Sequence, residues 1–402
     1  MSAVKIIDNV YSVGALNPSL RVFDIVMATE YGTSYNSFLV KGNNKTALVE
    51  GCHKTFYKQF LANIEEVCDF SQIDYIILNH NEPDHTGALA ELIVQNPDVE
   101  IFCSQAGSLY IKNITNLENL HLHVIKDGET LDLGGKTMRF ITAPFLHWPD
   151  SMFTYLEEDK LLFSCDFLGC HYCEPYTFDA NITRQDSYKT AVKGYYDAIF
   201  GPFPTYVRKG LDKIRDLPMD FVCTSHGPIL TREGQLPFVL EQYEKWCTPH
   251  PNENPLIPVF FCSAYGNTRR LATEIAEGIL QSIPNAKVQT YDIIKHDMAV
   301  LADLLNRSDA FALGSPTLNR DAVPPTWQLL SHLDAVNCGK KPVLLFGSYG
   351  WSGEAVGHLK ARLEGVKMKV FAEEMRTVFV PTEDDLQKAR VLGKEFGESL
   401  QK

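Results

Sequence analysis

Within six residues, His80-Asn81-Glu82-Pro83-Asp84-His85, the chain places four side chains able to bind a metal ion. They follow Ile73-Asp74-Tyr75-Ile76-Ile77-Leu78, an apolar run rich in β-branched residues that reads as a buried strand ending at Asn79. Carboxylates and imidazoles this dense beside a buried strand must be solvated, individually paired, or gathered round a cation. Alternate residues of an extended segment share a face, so His80, Glu82 and Asp84 are expected to converge while His85 turns elsewhere. Pro83 stiffens the loop and removes one backbone donor. The bland alternative is a polar surface turn, and the rest of the chain decides against it.

The same placement recurs. Lys160-Leu161-Leu162-Phe163-Ser164-Cys165 is an apolar strand that stops at Asp166, and Phe221-Val222-Cys223-Thr224-Ser225 leads into His226-Gly227. A further strand over residues 137–142 precedes the loop that carries His147. A lone histidine after a strand is more often a core or turn residue, but four strand ends with the same chemistry are not accident. Hairpin signals at 37–49 and helix-like stretches at 54–67 and 86–93 complete a β-rich α/β domain with a metal site on one rim.

At 402 residues the chain exceeds what one core usually supports, so two domains are expected. The boundary falls in Trp246–Pro258, where four prolines make an extended, semi-rigid linker. It separates a first domain at 1–250 from a second at 256–402. A net charge of −13 argues against nucleic acid and against a polybasic membrane anchor. There is no apolar run long enough to span a bilayer and no signal-peptide core, so a cytoplasmic protein is expected. Most of the ten cysteines sit singly in apolar runs, as small core residues do in a reducing compartment. The pair Cys170-His171-Tyr172-Cys173 lacks the second Cys-x-x-Cys of a zinc ribbon and reads as a structural loop.

From residue 258 strands near 258–262, 287–292, 309–314, 342–347 and 368–373 alternate with helices, which predicts a doubly wound five-stranded parallel sheet. Its first turn, Ser263-Ala264-Tyr265-Gly266-Asn267-Thr268, has neither a dinucleotide nor a triphosphate fingerprint. Hydroxyls, a glycine and the free N–H groups of a helix start suit one phosphate monoester. Two more loops, Ser315-Pro316-Thr317-Leu318-Asn319 and Ser348-Tyr349-Gly350-Trp351-Ser352-Gly353, follow the third and fourth strands. In strand order 2-1-3-4-5 all three meet at the switch point, where ligands bind. Tyr349 or Trp351 would cover a flat ring, and backbone near Thr317 and Gly350 would bond its edge. The expected ligand is FMN.

In this order the two halves resemble the flavodiiron proteins over nearly the whole chain. Residues 1–250 look like the metallo-β-lactamase αββα sandwich and 256–402 like flavodoxin. The lactamase metal motif is His-x-His-x-Asp-His, and here Glu82 stands at the second His, which marks the flavodiiron branch. The resemblance implies two non-haem irons: His80, Glu82 and His147 on one, Asp84, His85 and His226 on the other, and Asp166 bridging. Members differ in whether the His at position 85 coordinates. The resemblance also implies an oxidoreductase in which FMN feeds a diiron site that reduces dioxygen to water, nitric oxide to nitrous oxide, or both. Implied partners are rubredoxin, an NAD(P)H-linked reductase or a reduced deazaflavin as electron donor, and a second copy of the chain in a head-to-tail homodimer or a tetramer built from it.

The residues themselves agree. A carboxylate in place of an imidazole makes the site harder and more anionic, favouring iron over zinc. A hydrolase wants instead a redox-inert cation that acidifies water. Two other readings compete: a metal-dependent hydrolase with an appended flavodoxin, and a flavodoxin-type electron carrier with a vestigial metal site. Segments at Phe23-Asp24-Ile25-Val26 and around His171 are candidates for the pocket border, without a mapped role.

Overall fold

The computed structural model describes residues 2–401, and the chain divides into two compact units, Met1–Pro249 and His250–Lys402. The first unit holds two large sheets face to face, besides two small antiparallel pairs, Ala15–Asn17 with Thr33–Tyr35 and Val22–Phe23 with Met27–Ala28. One large sheet runs in the order Val4–Ile7, Val10–Ser12, Phe38–Lys41, Thr46–Val49, Tyr75–Leu78, Glu100–Cys103, Leu122–Val124. The other runs Thr130–Asp132, Thr137–Thr142, Met152–Leu156, Leu161–Cys165, Phe221–Thr224, Leu230–Thr231.

Strand alternation builds the layers. Phe38, Val40, Val49 and Ile77 of the first sheet pack on Phe140, Met152, Leu161 and Phe163 of the second. The residues between them face outward: Leu39, Leu48, Ile76 and Leu78 are covered by Phe60 and Ile64 of helix Tyr57–Glu65 and Leu89 and Leu92 of helix Leu89–Gln95. Ile141, Phe153, Leu162 and Val222 are covered on the far side by helices Gln185–Tyr195, Pro204–Ile214 and Leu236–Trp246. The result is an αββα sandwich. Both faces of each central strand are dry, which is why those strands read as unbroken apolar runs.

In the second unit the parallel sheet runs Lys287–Asp292, Leu256–Phe261, Phe311–Leu318, Pro342–Tyr349 and a last strand, the expected order 2-1-3-4-5. That last strand is split into Lys369–Val370 and Met375–Val378, both pairing with Pro342–Tyr349. Ile257, Val259 and Phe261 pack under helices Asn267–Ser282 and Glu383–Ser399, while Phe260, Phe311 and Leu313 meet Leu301, Leu329 and Leu359 on the other face. Two faces of helices on one sheet give the three-layer flavodoxin architecture. Among the described residues no helix is long and apolar enough to cross a membrane.

Candidate metal centre and cofactor groove

One sequence expectation fails at the first turn. Pro83–Thr86 is a short helix with Pro83 in its first turn and Glu82 at its N-cap, so the segment does not stay extended. Pro is well suited to that position because it has no N–H to leave unpaired there. Side chains then advance by about 100° per residue rather than alternating. Glu82 consequently stays with His80, whereas Asp84 leaves them and joins His85, which turns into the cluster rather than away from it.

Among the described residues three groups of potential ligands result, each with its ligand atoms within 4.8 Å of one another: His80, Glu82, His147 and Asp166, then Asp84, His85 and His226, and behind His85 a third that it makes with Glu50 and Cys165. Glu82 Oε2 lies 3.2 Å from Nε2 of His80 and 3.2 Å from Nε2 of His147. Asp84 Oδ2 lies 3.0 Å from His226 Nε2, and Asp84 Oδ1 lies 3.4 Å from His85 Nε2. Asp166 stands between the first two groups. Its Oδ2 is 3.7 Å from His80 Nε2 and 3.6 Å from His147 Nε2, and its Oδ1 is 3.3 Å from His85 Nε2 and 3.4 Å from His226 Nε2. All four imidazoles therefore present the same nitrogen to the carboxylates.

On His80 and His226 the opposite nitrogen is held by a partner that sequence reading missed. Asp150 Oδ2 is 3.2 Å from His80 Nδ1 and also accepts from the Asn81 N–H at 2.7 Å, and Ser34 O is 2.6 Å from His226 Nδ1. An acceptor there fixes the proton on Nδ1 and leaves the Nε2 lone pair for a metal. The signal for Asp150 was its place three residues after His147, combined with the rule that a ligating histidine needs an outer acceptor.

The residues fit a pair of cations. Both oxygens of Asp84, both of Asp166 and Nε2 of His85 are buried without a hydrogen-bond partner among the described residues. Leaving such atoms unpaired is costly, and a cation among them removes the cost. Three carboxylates and four neutral imidazoles carry −3, which nearly balances two divalent ions.

In the metal-free chain, burial opposes the His80 imidazolium, but Asp150 and Glu82 outweigh it and hold the pKa up at about 10. Burial likewise opposes His226, and Asp166 and Asp84 hold it up at about 9. These raised values stabilise the metal-free fold below about pH 6.5, the unfolded value, and that contribution is lost as pH climbs through the folded values. A metal must displace the same protons. Titrating ferrous ion into the metal-free chain in weak buffer is expected to release protons, and affinity is expected to rise from about pH 6 to about pH 9. A flat profile would contradict the arrangement.

Phe23, Asp24, His171 and Tyr195 border the cluster. Burial and then Glu82 push the Asp24 carboxyl up to about 7. His171 is kept neutral, its pKa pulled down to about 3 by burial and then by His226. Its ring lies 4.3 Å from that of Phe23 and 4.9 Å from that of Tyr195. Thr33 Oγ1 lies 2.8 Å from His171 Nδ1. Cys170 and Cys173 are buried free thiols.

In the second unit a groove of about 220 Å³ is lined by Ser263, Ala264, Tyr265, Asn267, Pro316, Thr317, Leu318, Ser348, Tyr349, Gly350, Trp351 and Phe379. Tyr265 and Trp351 are exposed large aromatics at its edge. Gly266 adopts φ +87° at the N-cap of helix Asn267–Ser282, with open space where a Cβ would stand. That conformation favours glycine, and at this helix start the Arg269 N–H donates to Ser263 Oγ at 3.3 Å, which places the hydroxyl where an anion would meet the helix dipole. Thr268 and Ser315 face inward instead: Thr268 Oγ1 lies 2.8 Å from Ser348 Oγ, and Ser315 Oγ accepts from the Val323 N–H at 3.1 Å. Asn319, Ser352 and Gly353 are not among the residues lining the groove. Phe379 is an addition, invisible in the sequence because it follows the split last strand.

Comparison with known proteins gives the same two parts. Residues 33–227 match the family model described as ODP family beta lactamase, and residues 259–393 match that of flavodoxin. Over 401 residues the chain is 52% identical to the flavo-diiron protein FprA2 of Clostridium acetobutylicum, covering 100% of both chains. It is 33% identical to the anaerobic nitric oxide reductase flavorubredoxin of Shigella dysenteriae, covering 98% of this chain and 82% of that one. The rubredoxin oxygen:oxidoreductase from Desulfovibrio gigas superposes with a TM-score of 0.72 at 28% identity, covering 100% of this chain and 99% of that one.

Proposed function

Because the chain belongs to the flavodiiron protein family, whose members are oxidoreductases, we propose that it is a terminal reductase for dioxygen, nitric oxide or both. Bound, FMN would take up electrons from a donor, and a non-haem diiron pair would supply the reduction of dioxygen to water or of nitric oxide to nitrous oxide. His80, Glu82 and His147 would hold one iron and Asp84, His85 and His226 the other, with one oxygen of Asp166 directed at each group. The loops at 263–268, 315–319 and 348–353 would hold FMN. Ser263, Gly266 and the start of helix Asn267–Ser282 would face its phosphate, and Tyr349 or Trp351 its ring.

One observation carries this reading: Glu82 stands 3.2 Å from two imidazoles at a place where a hydrolytic relative would keep a third. The resulting donor set is hard and anionic, which favours an ion that shuttles between two oxidation states over one that only acidifies water. Neutral His171 and the aromatic rings of Phe23 and Tyr195 border the centre, beside an Asp24 carboxyl that burial and then Glu82 push up to about 7, so little fixed charge faces a small uncharged diatomic.

The donor in this reading is a small soluble redox partner: a rubredoxin, an NAD(P)H-linked reductase or a reduced deazaflavin. A head-to-tail homodimer or a tetramer built from it, and a cytoplasmic location, belong to the same reading and rest on the family. Metal analysis of protein purified without added metals, followed by stopped-flow reoxidation of the reduced form with dioxygen and with nitric oxide separately, tests the proposal. Iron near two per chain and fast reoxidation by at least one gas are expected. Two zincs and no iron would defeat it. Glu82→Ala should abolish gas reduction and leave the flavin spectrum unchanged; undiminished turnover would favour an electron carrier instead.

A further inference from the structure

His85 stands between two sets of partners. Nε2 faces Asp84 and Asp166 in the metal cluster, while Nδ1 faces a separate corner formed by Glu50 and Cys165. We infer that Glu50 is the positioning residue that makes His85 a metal ligand, by holding the imidazole proton on Nδ1 so that Nε2 is free to coordinate. This inference rests on the metal reading above and concerns a residue outside the seven proposed ligands.

Glu50 is almost fully buried, at 1% exposure, directly after strand Thr46–Val49. Its backbone is pinned on both sides: its N–H donates to Ile77 O at 2.9 Å, and its carbonyl accepts from Ser37 Oγ at 2.7 Å. It adopts φ +62°, a left-handed conformation that costs a residue with a Cβ. The next residue, Gly51, passes so close to His85 that a Cβ there would lie 2.5 Å from the His85 carbonyl oxygen. The chain thus accepts local strain and close backbone contact to bring a carboxylate beside this one imidazole.

The carboxylate itself is half used. Oε1 accepts from the Asn79 N–H at 3.1 Å, but Oε2 is buried with no hydrogen-bond partner. A buried carboxylate oxygen demands a donor, and His85 Nδ1 stands 3.6 Å away. A purely structural residue that had to satisfy Asn79 would not need the second, charged oxygen. Cys165 Sγ, 4.0 Å from the same Nδ1, is the competing partner. If its thiol donated to Nδ1, the proton would sit on Nε2 and the metal face would be lost, so an anionic acceptor is what sets the tautomer. The three imidazoles His80, His226 and His85 then follow one rule, with Asp150, Ser34 O and Glu50 respectively on the outer nitrogen.

Glu50→Gln tests this with little change of shape. A glutamine that keeps its oxygen on Asn79 turns its NH₂ towards His85, which makes Nδ1 the acceptor and blocks Nε2. Ferrous ion is titrated anaerobically into the metal-free full-length chain against a chromophoric chelator. The wild type should bind two ions. Glu50→Gln should keep one at unchanged affinity and bind the other about 10–100-fold more weakly. In a His85→Ala background, where one site is already weakened, Glu50→Gln should add nothing, because its effect passes through the missing ring. If Glu50→Gln does not fold, Glu50→Asp withdraws the carboxylate by one methylene and should show the same selective loss. Unchanged affinity at both sites, or an additive loss in the His85→Ala background, overturns the inference and leaves the metal reading standing. A wild-type chain binding fewer than two ions overturns both.

Discussion

Asp166→Ala is expected to remove both metals rather than one. Each of the other six proposed ligands belongs to only one of the two metal-holding groups, but the two oxygens of Asp166 point to different ones, at 3.6 Å from His147 Nε2 and 3.3 Å from His85 Nε2. Losing the side chain takes one donor from each group at once, along with one of three negative charges. It leaves His80, His85, His147 and His226 facing one another with less charge to separate them. Affinity for both ions should fall by more than about 100-fold, beyond the usual cost of losing a merely supporting residue. Gas reduction should fall below detection while FMN still binds. Metal content and the flavin absorption of the same preparation measure the two effects together. Retention of one iron at full affinity would show that Asp166 serves only one group.

Gly278→Ala is expected to reverse the ordinary rule for helices. In an open helix interior alanine is better than glycine by about 0.8–1 kcal/mol. Gly278 lies in helix Asn267–Ser282 against helix Glu383–Ser399, and a Cβ there would stand 2.0 Å from the Arg390 carbonyl oxygen. Gly393 returns the contact, since its Cβ would stand 2.2 Å from the Ile275 carbonyl oxygen. Backbone meets backbone in both directions, so no side chain can swing aside. Relief requires separating the helices over Ile275, Ile279, Ala389 and Phe396, which are buried between them and the sheet. A net loss of about 1–3 kcal/mol is expected, read as a lower denaturation midpoint of the FMN-bound full chain. Gly357→Ala is the control: its Cβ would meet only Arg376 Nη2, at 3.9 Å, so it should be neutral or slightly stabilising. A Gly278→Ala chain as stable as the control would refute the close packing.

The layers were readable because burial on both faces leaves a plain trace. Tyr75–Leu78, Leu161–Cys165 and Phe221–Thr224 are short apolar runs, and each breaks at a group too polar to stay in the sheet. In the second half, strand–helix alternation specified a parallel sheet, and the crossover rule left few orders in which to arrange it. Alternation holds only to the strand end: a helical turn begins at Pro83, and so Asp84 does not converge with His80 and Glu82 as the extended pattern predicts.

The sequence alone determined the chemistry: which carboxylates and imidazoles are available, that Glu82 replaces an imidazole, and that a phosphate-sized turn opens the second half. It also determined the layers, since hydrophobic periodicity is local and survives in one dimension. Only the tertiary structure decided the groupings. Asp84 parts from Glu82, Asp166 turns one oxygen to each group, and Asp150, Ser34 and Glu50 arrive behind three of the histidines. Those partners come from positions up to 192 residues apart in the chain. What selects them is the directional need of a buried nitrogen or oxygen for its complement, and that need leaves no periodic mark on the order of amino acids.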